Sequence, residues 1–153
     1  MLDFIKPAPY IEELQDQDLV KRNYKYWRFR TFYGMYIGYA LYYFTRKSFI
    51  FAMPAMHAEL GLSKFELGLL GSVLSITYGV SKFLSGILGD KSNPRYFMSI
   101  GLILTGIFNI LFGTSSVFWA FAVFWGLNGW FQGFGWPPCA RFLTHWYSHS
   151  ERG

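Results

Sequence analysis

Apolar residues along this chain gather in four long runs separated by short polar stretches. Thr31 to Met56 is interrupted by Arg46 and Lys47, and Leu67 to Leu88 only by Lys82; Tyr96 to Gly113 and Val117 to Ala140 hold no charge at all. A bilayer core about 30 Å thick takes roughly 20 apolar residues as a helix. Backbone polar groups find no water there, so each run is expected to be helical. The expected fold is therefore an all-α integral membrane bundle of four transmembrane helices over 31–56, 67–88, 96–113 and 117–140. A polar cytoplasmic tail, 1–30, precedes them, and a cytoplasmic loop, 141–153, follows. Gly61 breaks the chain between the first two helices, and Ser63 followed by Glu66 reads as a capping box for the second.

Composition sharpens this picture. Of 153 residues, 52% are hydrophobic, 22% aromatic and 15% charged, which does not fit a water-soluble globule. Residues 1–30 hold 11 of the 23 charges, five acids and six bases without an apolar core. No secretory leader is expected there. Tyr10 to Arg30 reads instead as a surface helix entering the bilayer interface. A lone Cys139 excludes a disulfide scaffold. Net charge +5 would suit nucleic acid in a soluble protein, but in a membrane protein it marks the cytoplasmic side. Near the spans, Lys and Arg number five in 21–30, two in the second loop and two after the fourth helix, against only Lys64 in the first loop. Both termini are expected in the cytoplasm, with 57–66 outside. Small residues four apart, Gly34 with Gly38, Gly71 with Ser75 and Gly79, and Gly129 with Gly133, would let helices approach closely; glycine is also simply common in membrane helices.

Three cations fall inside the spans, Arg46, Lys47 and Lys82, and Asp90 is the only acid between Leu67 and Ser150. A charge in the hydrocarbon costs several kcal/mol unless it meets water, a counter-charge or a ligand. Without carboxylates in the spans, the missing negative charge is expected to be substrate. Arg46 offers a planar fork for a phosphate or carboxylate, and Lys82 a rotatable point charge. Tyr39, Tyr42, Tyr43 and Arg46 stand three, four or seven apart and form one hydroxyl-bearing stripe. Interfacial packing for the tyrosines and snorkelling for Lys82 are the alternatives. Lys47 points about 100° away from Arg46 on a helix, and Arg46 is preferred. Asp90 is expected to bridge to Arg141 across the cytoplasmic ends of helices two and four, with Gly86 letting them close in and Lys91 and Arg95 beside them. His57, His145 and His149 show no metal spacing, and no catalytic or phosphate-loop motif occurs. Neither enzyme activity, a cofactor nor a metal is expected.

The segment GILGDKSNPR, with Gly86, Asp90, Lys91 and Arg95, resembles the major facilitator superfamily signature, departing from it at Asn93 and Pro94. YYFTRKSF (Tyr42 to Phe49), YGVSKF (Tyr78 to Phe83) and FQGFGWPPCAR (Phe131 to Arg141) resemble the organophosphate:phosphate antiporters, and RYFMSIGLILTG (Arg95 to Gly106), with LTHWY (Leu143 to Tyr147) and Glu151 to Gly153, resembles their hexose-phosphate transporter and sensor branch. The likeness runs from Phe4 onward. It implies a twelve-helix fold in the bacterial inner membrane, exchanging a sugar phosphate for inorganic phosphate by alternating access, of which this chain resembles the amino-terminal part. It also implies that Arg46, Lys82, Tyr39, Tyr43 and Tyr78 line the substrate cavity, with a second arginine supplied from the other half or another chain. A receptor sensing external hexose 6-phosphate for a signalling kinase, and a truncated product without function, are the alternatives. The 153 residues alone are expected neither to transport nor to bind sugar phosphate tightly.

Overall fold

The computed structural model describes residues 10–12 and 14–151, apart from the side chain of His149; Phe4 to Pro9, Glu13, Arg152 and Gly153 lie outside the described residues. Among the described residues the regular structure is all helical: α1 Gln17–Glu59, which starts seven residues later than the expected surface helix from Tyr10, α2 Lys64–Asp90, α3 Pro94–Gly113, α4 Phe118–Gln132 and α5 Trp136–Trp146, with a 3-10 turn at His149–Glu151. Helices α2 and α3 are long and apolar enough to cross a membrane.

The tail and the first apolar run are not separate elements. Asp16 caps α1, its carboxylate accepting from the backbone N–H of Asp18 at 2.9 Å and Leu19 at 3.2 Å. No glycine, proline or cap follows until Gly34, so nothing stops the helix at the membrane boundary, and it runs 43 residues. At 1.5 Å per residue it is about 64 Å long, roughly twice a bilayer core. It ends at Gly61, whose φ of +69° suits glycine. The capping box follows: Ser63 N–H donates to Glu66 Oε2 at 2.8 Å, and Glu66 N–H to Ser63 Oγ at 3.2 Å. Asn93 and Pro94, the departure from the family signature, start α3: the Asn93 side chain accepts from Arg95 N–H at 3.1 Å, and Pro94 takes the first turn, where no N–H is needed.

The fourth apolar run divides in two. A turn at Gly133 to Gly135 separates α4 from α5, and Pro137 and Pro138 open the new helix, where they cannot serve a continuing hydrogen-bond ladder. Fifteen residues in α4 reach about 22 Å, short of a bilayer core.

Helix α4 lies between α2 and α3 and touches both closely. A Cβ at Gly129 would stand 2.8 Å from the Leu74 carbonyl oxygen, and one at Gly133 2.9 Å from Lys82 N, so glycine sets the α2–α4 distance. Ser81 Oγ donates to the Trp130 carbonyl across the same seam. Of the small-residue pairs, Gly129 with Gly133 makes this contact and Gly38 meets Met98, whereas Gly34, Gly71 and Gly79 have nothing within 4 Å. One end of the bundle is closed by an apolar cluster, with Phe49 and Met56 from α1, Leu67 and Leu70 from α2, Phe112 from α3, and Phe121 and Trp125 from α4. At the other end α1, α3 and α5 splay around a cleft of about 660 Å³ bordered by Trp27, Arg30, Arg95, Arg141, His145 and Trp146.

Candidate functional site

Residues 42, 49 and 56, one heptad apart, put Tyr42, Phe49 and Met56 on the buried face of α1. Tyr42 is thereby removed from the expected hydroxyl stripe: it is 2% exposed, and its hydroxyl donates to the Met98 carbonyl at 2.9 Å. Tyr39, Tyr43 and Arg46 take the adjacent face, toward α2 and α5. The Arg46 guanidinium carbon stands 4.4 Å from the Tyr43 ring centroid and 5.2 Å from that of Tyr78. Lys82 Nζ lies 5.7 Å from the Tyr78 ring and 5.6 Å from the Trp136 ring. Tyr39 closes the group, with its ring 5.4 Å from Tyr43 and 6.0 Å from Trp136.

Five residues selected from the sequence, on two helices, thus form one cluster with α5. Tyr78 is shared by both cations. Trp136 completes the wall and was missed; its signal was the sequence WPP, where a tryptophan directly before two helix-opening prolines is held at a fixed turn. Among the described residues no carboxylate lies within 4.0 Å of Arg46 or Lys82, and the one ion pair is Arg28 with Glu151. The positive charges rest on aromatic faces, an attraction of about 0.5–2 kcal/mol each. That is less than an ion pair would give in a low dielectric, and it leaves the guanidinium fork without an anionic partner. Lys47 is exposed.

At the cleft end, the expected latch is corrected in two respects. Arg141 does cross to α2, but its Nη1 donates to the backbone carbonyls of Gly89 at 3.2 Å, Asp90 at 3.2 Å and Ser92 at 2.9 Å. The Asp90 carboxylate makes no ion pair within 4.0 Å with Arg95 or Arg141 among the described residues. The last carbonyls of a helix carry partial negative charge and lack intrahelical partners, so a guanidinium satisfies both at once. Close approach falls on Gly89, where a Cβ would meet Pro137 Cβ at 3.1 Å; Gly86 has nothing within 4 Å. Lys91 caps α2, and Arg95 is exposed at the start of α3 beside the cleft.

A second join at this end was not legible in the sequence. Tyr24 OH donates to the Trp146 carbonyl at 2.6 Å, and their rings stack at 5.4 Å. Arg28 Nη2 donates to Glu151 Oε1 at 2.9 Å, with its guanidinium 4.0 Å from the Tyr147 ring. Arg28, and then the Ser148 N–H and hydroxyl, hold the Glu151 carboxyl below its ordinary value.

Residues 35–153 match the Major Facilitator Superfamily, and the chain belongs to that superfamily. It is similar to the probable hexose phosphate transport protein of Chlamydia pneumoniae, 63% identical over 98% of this chain and 33% of the relative. The membrane sensor protein UhpC of Escherichia coli (strain K12) is 54% identical over 100% of this chain and 35% of its own length. The glycerol-3-phosphate transporter of Bacillus subtilis (strain 168) is 52% identical over the same two shares. The chain spans about a third of the length of the curated relatives it matches.

Proposed function

We propose that this chain is the amino-terminal part of a bacterial inner-membrane carrier that exchanges a sugar phosphate, hexose 6-phosphate above all, for inorganic phosphate. The observation that carries this reading is the pairing of Arg46 and Lys82 on aromatic walls with no carboxylate among the described residues within reach. A phosphoryl dianion supplies what the cluster lacks: Arg46 takes two oxygens with its fork, and Lys82 takes a third as a mobile point charge. Tyr39, Tyr43 and Tyr78 contribute hydroxyl donors, and Trp136 an apolar face. Exchange follows from the charge. An empty cationic site reorients through low dielectric at high cost, and a bound phosphate or sugar phosphate removes that cost. The remaining cavity wall, with a second cation, comes from residues beyond these 153 or from another chain, and access alternates as the two parts rock. Four spans, α1, α2, α3 and α4 with α5, are proposed with both ends cytoplasmic. Arg141, seated on the end of α2, then holds the cytoplasmic side together, flanked by Gly86, Asp90, Lys91 and Arg95.

The decisive measurement is phosphate-exchangeable uptake of labelled glucose 6-phosphate by cells whose full-length protein carries Arg46→Ala. Loss of uptake with normal membrane abundance is expected; near-normal uptake removes Arg46 from the site. Orientation is read separately, by labelling single cysteines in intact cells. A cysteine at Ser63 should react from outside and one at Ser92 only after the membrane is opened; labelling at position 92 from outside inverts the topology.

A further inference from the structure

A set of side-chain amides, Gln132 and Asn128 buried and Asn109 half-buried, converges on the one turn of α1 that carries Arg46. Gln132, 4% exposed on α4, places Nε2 3.2 Å from the Tyr42 carbonyl and 2.9 Å from Thr45 Oγ1. From α3, Asn109 Nδ2 donates to the Thr45 carbonyl, and Ser48 Oγ donates back to Asn109 Oδ1 at 3.1 Å. Gln132 is itself fixed: its amide also reaches Asn128 Oδ1 at 3.2 Å, and Asn128, 0% exposed, donates to the Thr105 carbonyl at 3.2 Å. The Tyr42 carbonyl is the acceptor to which an α-helix directs the backbone N–H of Arg46. Two neighbouring helices therefore hold the backbone carbonyls of Tyr42 and Thr45, just before this arginine, from the face adjacent to its side chain. Among the described residues α1 shows much exposed surface, with Tyr36, Phe44, Ile50 and Phe51 more than half exposed, and the amides add directional contacts to the apolar packing that faces α3 and α4.

We infer that Gln132 and Asn109 are positioning residues for Arg46, setting the rotation and height of α1 so that the guanidinium stands over Tyr43 and Tyr78 before any anion arrives. The inference rests on the phosphate-site reading above. A planar fork rewards this more than a point charge does, because both donors must meet two oxygens together.

The test measures inorganic phosphate affinity by isothermal titration, with thermal stability recorded alongside, on the full-length purified protein. Gln132→Met and Asn109→Leu keep approximate volume and remove the donors. Each should weaken phosphate roughly three- to ten-fold, the equivalent of one or two interhelical hydrogen bonds in a membrane protein. In an R46K background, where no fork remains to aim, adding Gln132→Met should change phosphate affinity less than two-fold while lowering thermal stability as before. A purely structural amide would weaken binding equally in both backgrounds, and that result overturns the inference. So does wild-type affinity in both single variants while Arg46→Ala abolishes binding. Unchanged affinity in Arg46→Ala instead removes the site reading itself. Should Gln132→Met fail to accumulate, Gln132→Asn, which keeps the amide but shortens its reach, replaces it with the same expected loss and the same overturning results.

Discussion

Arg28 and Arg46 sit on the same unbroken helix, eighteen residues apart, and their surroundings differ in kind. Arg28 has a carboxylate at 2.9 Å and an aromatic face at 4.0 Å. Arg46 has two aromatic faces and, among the described residues, no carboxylate within 4.0 Å. One charge holds two parts of the fold together, and the other is the one proposed to meet a ligand. The same division separates two faces of α2: toward α4, Thr77 and Ser81 press on glycines, while Gly71 and Gly79 meet nothing within 4 Å.

The sharpest way to break the first comparison is to exchange the two arginines for alanine one at a time. Phosphate binding by the full-length protein should vanish with Arg46→Ala and persist with Arg28→Ala. Arg46→Lys should also lose most binding, since roughly 1.5–3 kcal/mol is at stake for each charged hydrogen bond of the fork. Comparable losses at both positions would mean that charge, and not location, governs the site. The α2 comparison comes next. Gly129→Leu should lower thermal stability by about 1–3 kcal/mol through overpacking against Leu74, whereas Gly71→Ala should be neutral or stabilising by up to about 1 kcal/mol. A large penalty for Gly71→Ala in the full-length protein would place another helix on that face. Lys82→Ala is expected to weaken phosphate less than either change at Arg46, read from the same titration.

The smallest effect concerns Glu151. Its folded carboxyl titrates below the ordinary value because Arg28, then Ser148, stabilise the anion. The stabilisation is therefore complete above the ordinary carboxylate value and is lost as pH falls through the lowered one. Tryptophan emission, followed as pH is lowered from 7, should report release of Trp146 in that acid range. Glu151→Gln should flatten the change, and an identical acid transition in that variant would assign it to another group.

Much of this was legible beforehand where the signal is local. Gly61, the Ser63 and Glu66 box and the charge-free runs each act within a few residues, and the cations stood out because hydrocarbon tolerates them poorly. Spacing alone groups Tyr42 with Tyr39 and Tyr43, because residues three and four apart on a helix share a broad face, and only the packing of α3 decides which are buried. The Arg28–Glu151 contact joins residues 123 apart, a pairing no local pattern encodes. Asp90 drew attention as the only acid of its region, but Arg141 binds the carbonyls that any sequence would present there. The division of the fourth run was foreshadowed by Gly133, Gly135, Pro137 and Pro138; its uninterrupted apolarity outweighed them in a reading based on hydropathy.

The continuity of α1 makes it a lever. Arg46 stands about 27 Å along the rod from Arg28 at 1.5 Å per residue. If the contacts of Tyr24 with the end of α5 and of Arg28 with the segment after it serve as the pivot, a tilt of about 10° swings the guanidinium sideways by roughly 5 Å at that rise. A stiff helix would then convert a slight rocking at the Arg28 end into the gain or loss of the proposed phosphate contact at Arg46.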